Sequence, residues 1–214
     1  PQSAQAGSAQ FLLGMTFDVL QRYSEAAEAY RAYLQMRPGL IDAYAQERLG
    51  NSLAAVPDPI GAIQAYQAAL AAERSADDFE LRVTLARAHA AAGDYSTAVS
   101  LYDGLAAETT SSYYKAHLEF LAGQAYLLQG MNGQAYTRFQ NGINNYPDAY
   151  DSYSGLVALV DAGQPVDDLS RGLTDYFAGQ YAPALAAFNR FETSQAASDG
   201  TVYHYRALTL READ

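Results

Sequence analysis

The chain has 214 residues, half of them apolar and 17% charged, with 24 Asp plus Glu against 13 Lys plus Arg and a formal charge of -11. No concentrated positive charge is available for a phosphate backbone, so a nucleic-acid partner is not expected. The absence of cysteine excludes both a disulfide framework and a thiolate metal site. No apolar run approaches the roughly 18 residues of a membrane span, and no charged start leads into an apolar stretch, so no signal peptide is read.

Residues 1–6 open the chain as a polar linker, "PQSAQA", entering a helix. Such a start also fits what remains after an export signal or anchor has been trimmed. Beyond it, Ala26, Ala62, Ala98 and Ala135 are each followed four residues later by an aromatic: Tyr30, Tyr66, Tyr102 and Phe139. The alanines are spaced by 36, 36 and 37 residues, and then by 49 to Ala184, which has Phe188 four residues on. A period of this length, with one helical turn between the small and the aromatic residue, marks an array of helical repeats. A second small residue stands twelve positions before each alanine: Gly14, Gly50, Ala86, Gly123 and Gly172. Each unit is therefore expected to be an antiparallel helix pair, with small residues on both helices where the axes cross.

The linking segments carry helix punctuation. Gly93, Gly130 and Gly179 sit where a left-handed residue ends a helix, and Ser24 or Asp94 can cap the one that follows. Pro57 and Pro59 end and restart helices in the second unit. Asp77 and Glu80 read as a capping box for the third. The interval of 49 residues equals one repeat plus about 13 residues, the length of one added helix with its turn. An unpaired or short-partnered helix is expected at 149–162, within a segment 150–164. A fifth repeat follows at 165–198. Residues 199–214 read as the first helix of a further unit whose second helix is missing, as in a fragment of a longer chain.

No chemistry-bearing constellation emerges. His89, His117 and His204 fall in different predicted helices without metal-ligand spacing, and no phosphate loop or nucleophile elbow is present. Neither a cofactor, a metal nor catalysis by this stretch of chain is expected. Most of the 18 tyrosines have packing duties set by the repeat. Tyr44, Tyr113, Tyr114, Tyr150 and Tyr153 lie near helix starts and are freer to stack against a ligand.

The strings "LLG", Tyr23, Ala26, Tyr30 and Pro38, then "RLG", Ala62, Tyr66 and Ala69, resemble the tetratricopeptide repeat (TPR) family. So do "LARAHAAAGDYSTA" in the third unit and "LAGQAY", Ala135, Phe139 and Pro147 in the fourth; together the four cover residues 7–149. The resemblance implies an all-α fold: an α-solenoid of TPR-like antiparallel helix pairs in a right-handed superhelix, here with one extra helix. It also implies a concave groove lined by the first helix of each pair, which receives a protein or peptide partner. Phe11 and Met15, Glu47 and Asn51, Val83 and Arg87, and Phe120 and Gln124 would face that groove. Asn51, Arg87 and Gln124 share one repeat position, a polar ladder suited to a peptide backbone or carboxylate. Where chaperone-tail-binding TPRs carry a Lys and Asn clamp, the first unit has Phe11 and Met15.

The Ala-, Gln- and Tyr-rich irregular repeats with an interposed helix are also similar to the superhelical region of bacterial soluble lytic transglycosylases. That second resemblance implies an arm positioning peptidoglycan for a catalytic domain beyond Asp214. It would put the parent enzyme in the bacterial cell envelope or outside the cell; the sequence itself leaves a cytoplasmic home open.

Overall fold

The computed structural model describes residues 4–39, 41–73, 77–194 and 200–213, which form twelve helices and no strand. The chain divides into two compact units, residues 1–101 and 102–214. In the first unit α1 (Ala4–Val19) pairs with α2 (Tyr23–Met36), and α3 (Asp42–Ala55) with α4 (Pro59–Ala71). Helix α5 (Phe79–Ala91) packs on α4, and α6 (Tyr95–Glu108) carries the chain from one unit into the other. The second unit continues with the pair α7 (Ser112–Leu128) and α8 (Asn132–Asn145). It goes on through α9 (Tyr150–Asp161), the pair α10 (Asp168–Phe177) and α11 (Tyr181–Ser194), and α12 (Gly200–Ala213).

Each pair is closed by one recurring contact. The glycine of the first helix lies beneath the ring of the aromatic sixteen residues later: Gly14 under Tyr30, Gly50 under Tyr66, Gly123 under Phe139 and Gly172 under Phe188. A methyl group at Gly14 would stand 2.6 Å from Cε1 of Tyr30, closer than carbon atoms pack. This differs from the expected crossing of small residue on small residue: among these glycines' nearest neighbours it is the ring, not the alanine, that demands the space. The alanines Ala26, Ala62, Ala98, Ala135 and Ala184 are fully buried, as are Tyr30, Tyr66, Tyr102, Phe139 and Phe188 to within 2%. Ala86, in the glycine position of the third repeat, is also fully buried.

Helix ends follow the turn chemistry with local departures. Gly93, Gly130, Gly163 and Gly179 adopt φ between 65° and 81°. After each, a backbone N–H reaches back five residues, as from Asp94 to His89 at 2.9 Å. In the first helix pair Gln21 takes this place at φ 56°. Asp58 caps α4 by accepting from the Gly61 N–H at 2.9 Å, and Pro59 occupies the first turn. Asp94 caps α6 through the Thr97 N–H at 3.3 Å. Ser24 does not cap α2, which starts one residue earlier, at Tyr23. The Asp77 capping box is also not made: α5 starts at Phe79, so Asp77 accepts from the Phe79 N–H at 3.0 Å instead.

Residues 4–6, expected in a linker, are helical. Gly7 lies against the methylenes of Arg37, whose Nη1 donates to Ser8 Oγ at 3.1 Å, and this ties the first turns of α1 to the end of α2. The extra helix expected at 149–162 is α9, packed on α7 and α8. It approaches α8 through small residues: Gly155 against Phe139, and Ser152 against Gly142. His117 Nδ1 on α7 and Asp151 Oδ2 on α9 lie 3.1 Å apart.

Candidate functional site

In the first unit, α3, the α3–α4 turn and α5 enclose an open pocket of about 460 Å³. Ala54, Ala88 and Ala91 give it an apolar lining and Pro57 and Pro59 a rigid edge, while Asn51, Tyr66, Thr84 and Arg87 bring polar atoms. Helical spacing explains why α5 contributes as it does. Thr84, Arg87, Ala88 and Ala91 fall at steps of three and four residues and so share one face. The Tyr66 ring is held over Gly50, which aims its hydroxyl at α3, where it donates to Asn51 Oδ1 at 3.0 Å.

That bond sets the polarity of the pocket. With its oxygen engaged, Asn51 presents its amide nitrogen as a donor. Arg87 is exposed and forms no ion pair or hydrogen bond among the described residues. Among the described residues it is the only charged one lining the pocket. Burial pushes the Tyr66 phenol up to about 12; Arg87 opposes this shift and Glu47 adds to it, so both charges act at the hydroxyl. The phenol therefore stays protonated across the physiological range. The arrangement offers donors and one positive charge beside an apolar surface, which suits a ligand with a carbonyl or carboxylate next to a small apolar group.

The other groove residues lie elsewhere. Glu47 is half-buried one turn before Asn51, and Val83 is buried at 3% exposure, within the core rather than on an open face. In the second unit Gln124 is exposed on α7 at the matching repeat position. Phe120, one turn before it, is half-buried with its ring 5.7 Å from that of Phe139. Phe11 leans on three rings, Tyr30, Tyr33 and Tyr44, at 5.3 to 5.8 Å.

The sequence reading took Pro57 and Pro59 only as helix punctuation and missed their place on the pocket edge. It also missed a polar network beside the first pair. The Tyr30 hydroxyl donates to Asp18 Oδ2 at 2.6 Å, Ser52 Oγ reaches Asp18 Oδ1 at 2.9 Å, and Arg48 lies 3.9 Å away. Asp18 has no counterpart at the same position of later repeats, where Ala54 and Ala90 stand, so no periodic signal pointed to it. Among the described residues no three His, Cys, Asp or Glu side chains gather as a metal site, and no helix is long and apolar enough to cross a membrane.

No protein-family model and no curated protein sequence matches the chain. Among solved structures it is similar to a tetratricopeptide repeat protein from Parabacteroides merdae, at 15% identity and a TM-score of 0.58, over 98% of this chain and 74% of that one. It is likewise similar to MamA, at 16% identity and a TM-score of 0.58, over 92% of this chain and 100% of that one. At such identity the likeness is one of fold: the chain is an all-α array of TPR-like helix pairs.

Proposed function

We propose that this chain is a non-catalytic TPR-like scaffold that holds a segment of another protein on the first-helix faces of its repeats. Its anchor is the pocket of Asn51, Tyr66 and Arg87. The observation that carries this reading is the exposed Arg87 guanidinium, without an ion-pair partner among the described residues, beside a donor-lined pocket of about 460 Å³. In a chain of net charge -11, such a cation at a concave apolar surface favours an acceptor-bearing segment over a basic one at that spot. Glu47, one turn before Asn51, is a further contact that the repeat positions suggest in the first unit; Gln124 and Phe120 hold the corresponding positions within the second unit.

A displayed random-peptide library, selected on the intact chain, tests the reading. Selected peptides are expected to lose about tenfold or more in affinity on Arg87→Ala and less on Asn51→Ala, in line with a charge-assisted hydrogen bond. Undiminished binding of every selected peptide to Arg87→Ala would remove the pocket from the account.

A further inference from the structure

A second concavity lies wholly within the second unit, where the start of α9 meets the end of α10. It measures about 120 Å³ and is lined by Pro147, Asp148, Tyr150, Tyr153, Phe177 and the backbone around them. Tyr150 and Tyr153 are one turn apart on α9 and so share a face. Tyr150 is 76% exposed and Phe177 43% exposed. Large rings standing in water at a slot are the notable feature: Tyr150 is the most exposed aromatic among the described residues, whereas the repeat aromatics Tyr30, Tyr66, Tyr102, Phe139 and Phe188 are buried.

Four observations fix the charge of what fits. Asp148 makes no ion pair or hydrogen bond among the described residues, and no Lys or Arg lines the slot. The exposed ring of Tyr150 stacks on no other ring among the described residues, so its electron-rich face is available, while half-buried Tyr153 packs in part against the Phe139 cluster and forms the wall of the slot. Phe177 and Ala178 form the C-terminal end of α10, the negative end of its dipole. The opposing positive end of α9 is met by Asp151 in that helix's first turn. At about 120 Å³ the slot has room for the end of one side chain.

From these we infer that the slot of Asp148, Tyr150, Tyr153 and Phe177 takes an arginine or lysine side chain of a polypeptide partner. The cation lies against the rings and its charge is balanced by Asp148. The net charge of -11 draws such a basic segment in from a distance. This site stands independently of the Arg87 pocket, and its ligand carries the opposite charge.

The test is an NMR titration of the intact chain, following the resonances of residues 148–153 and 177–178. The probes are blocked Gly-Xaa-Gly peptides in which Xaa is arginine, lysine, citrulline or leucine. Arginine and lysine are expected to shift these resonances with affinity about fivefold or more above citrulline, which keeps the shape of arginine without its charge. Asp148→Asn and Tyr150→Ala should each weaken the arginine peptide about fivefold. Arg87→Ala should leave the titration unchanged. Tyr150 is exposed, so its removal leaves the fold intact, and the amide spectrum verifies this. Equal binding of citrulline or leucine, no localised shift, or an unaltered Asp148→Asn titration would each overturn the inference. Tighter binding of choline than of the arginine peptide would overturn the assignment to a polypeptide.

Discussion

Gly50 shows how a single missing methyl shapes a repeat. Its neighbour is the ring of Tyr66, 1% exposed and tethered through its hydroxyl to Asn51, so the ring cannot give way cheaply. Gly50→Ala is expected to cost about 2 kcal/mol by overpacking. Gly104, exposed within α6 with nothing near its added methyl, is the matched control; Gly104→Ala should instead stabilise by about 1 kcal/mol through helix propensity. Urea unfolding of the two variants checks both signs. The Tyr66 phenol adds a dependence on pH. Its folded value lies near 12, above the value of about 10 in an unfolded chain, so its contribution is complete below about pH 10 and is lost as pH rises toward 12. Over that window the stability of Tyr66→Phe should fall less steeply than that of the parent, by about 1 kcal/mol per pH unit. Equal slopes in alkaline unfolding would refute the assignment.

At the scale of elements, α9 is the irregular member. It meets α8 through Gly155 and Ser152, where side chains larger than these would push the two axes apart. A methyl at Gly155 would stand 3.3 Å from Phe139 Cβ, so Gly155→Val is expected to destabilise by about 2 kcal/mol. Loss of amide protection in α9 with little change in α10 and α11 would locate the damage at this docking; uniform loss across the second unit would show that α9 is not a separable element. The existence of α9 was legible from an interval of 49 residues in place of 36, because interval lengths count helices. Its docking was not, since a glycine in sequence does not reveal which neighbour it admits. The same limit explains the candidate site. The shared repeat position of Asn51 and Arg87 could be read from spacing, whereas the hydroxyl that turns the Asn51 amide, and the prolines at the pocket edge, depend on packing between helices. Asp18 escaped notice for a related reason: it belongs to one repeat only, and periodicity reports what recurs.

Over the whole molecule the acidic excess, 24 against 13, acts as a diffuse self-repulsion. Raising the salt concentration from about 10 mM to about 150 mM shortens the screening length from about 30 to about 8 Å. The melting temperature should then rise by about 3 °C, the equivalent of about 1 kcal/mol in a chain of this size. A fall would mean that local ion pairs, such as Arg138 between Asp103 and Glu119, outweigh the repulsion.

The lock of glycine under ring has a consequence for how such a chain can change over generations. Both of its parts sit in one hairpin, sixteen residues apart, so this contact is made within the hairpin whichever helix follows it. A lone helix can therefore be spliced in after one hairpin without spoiling the next, as the intact Gly172 and Phe188 contact beyond α9 illustrates. Insertions that would wreck a single shared core become, in this design, a route by which new surfaces such as the Tyr150 slot arise.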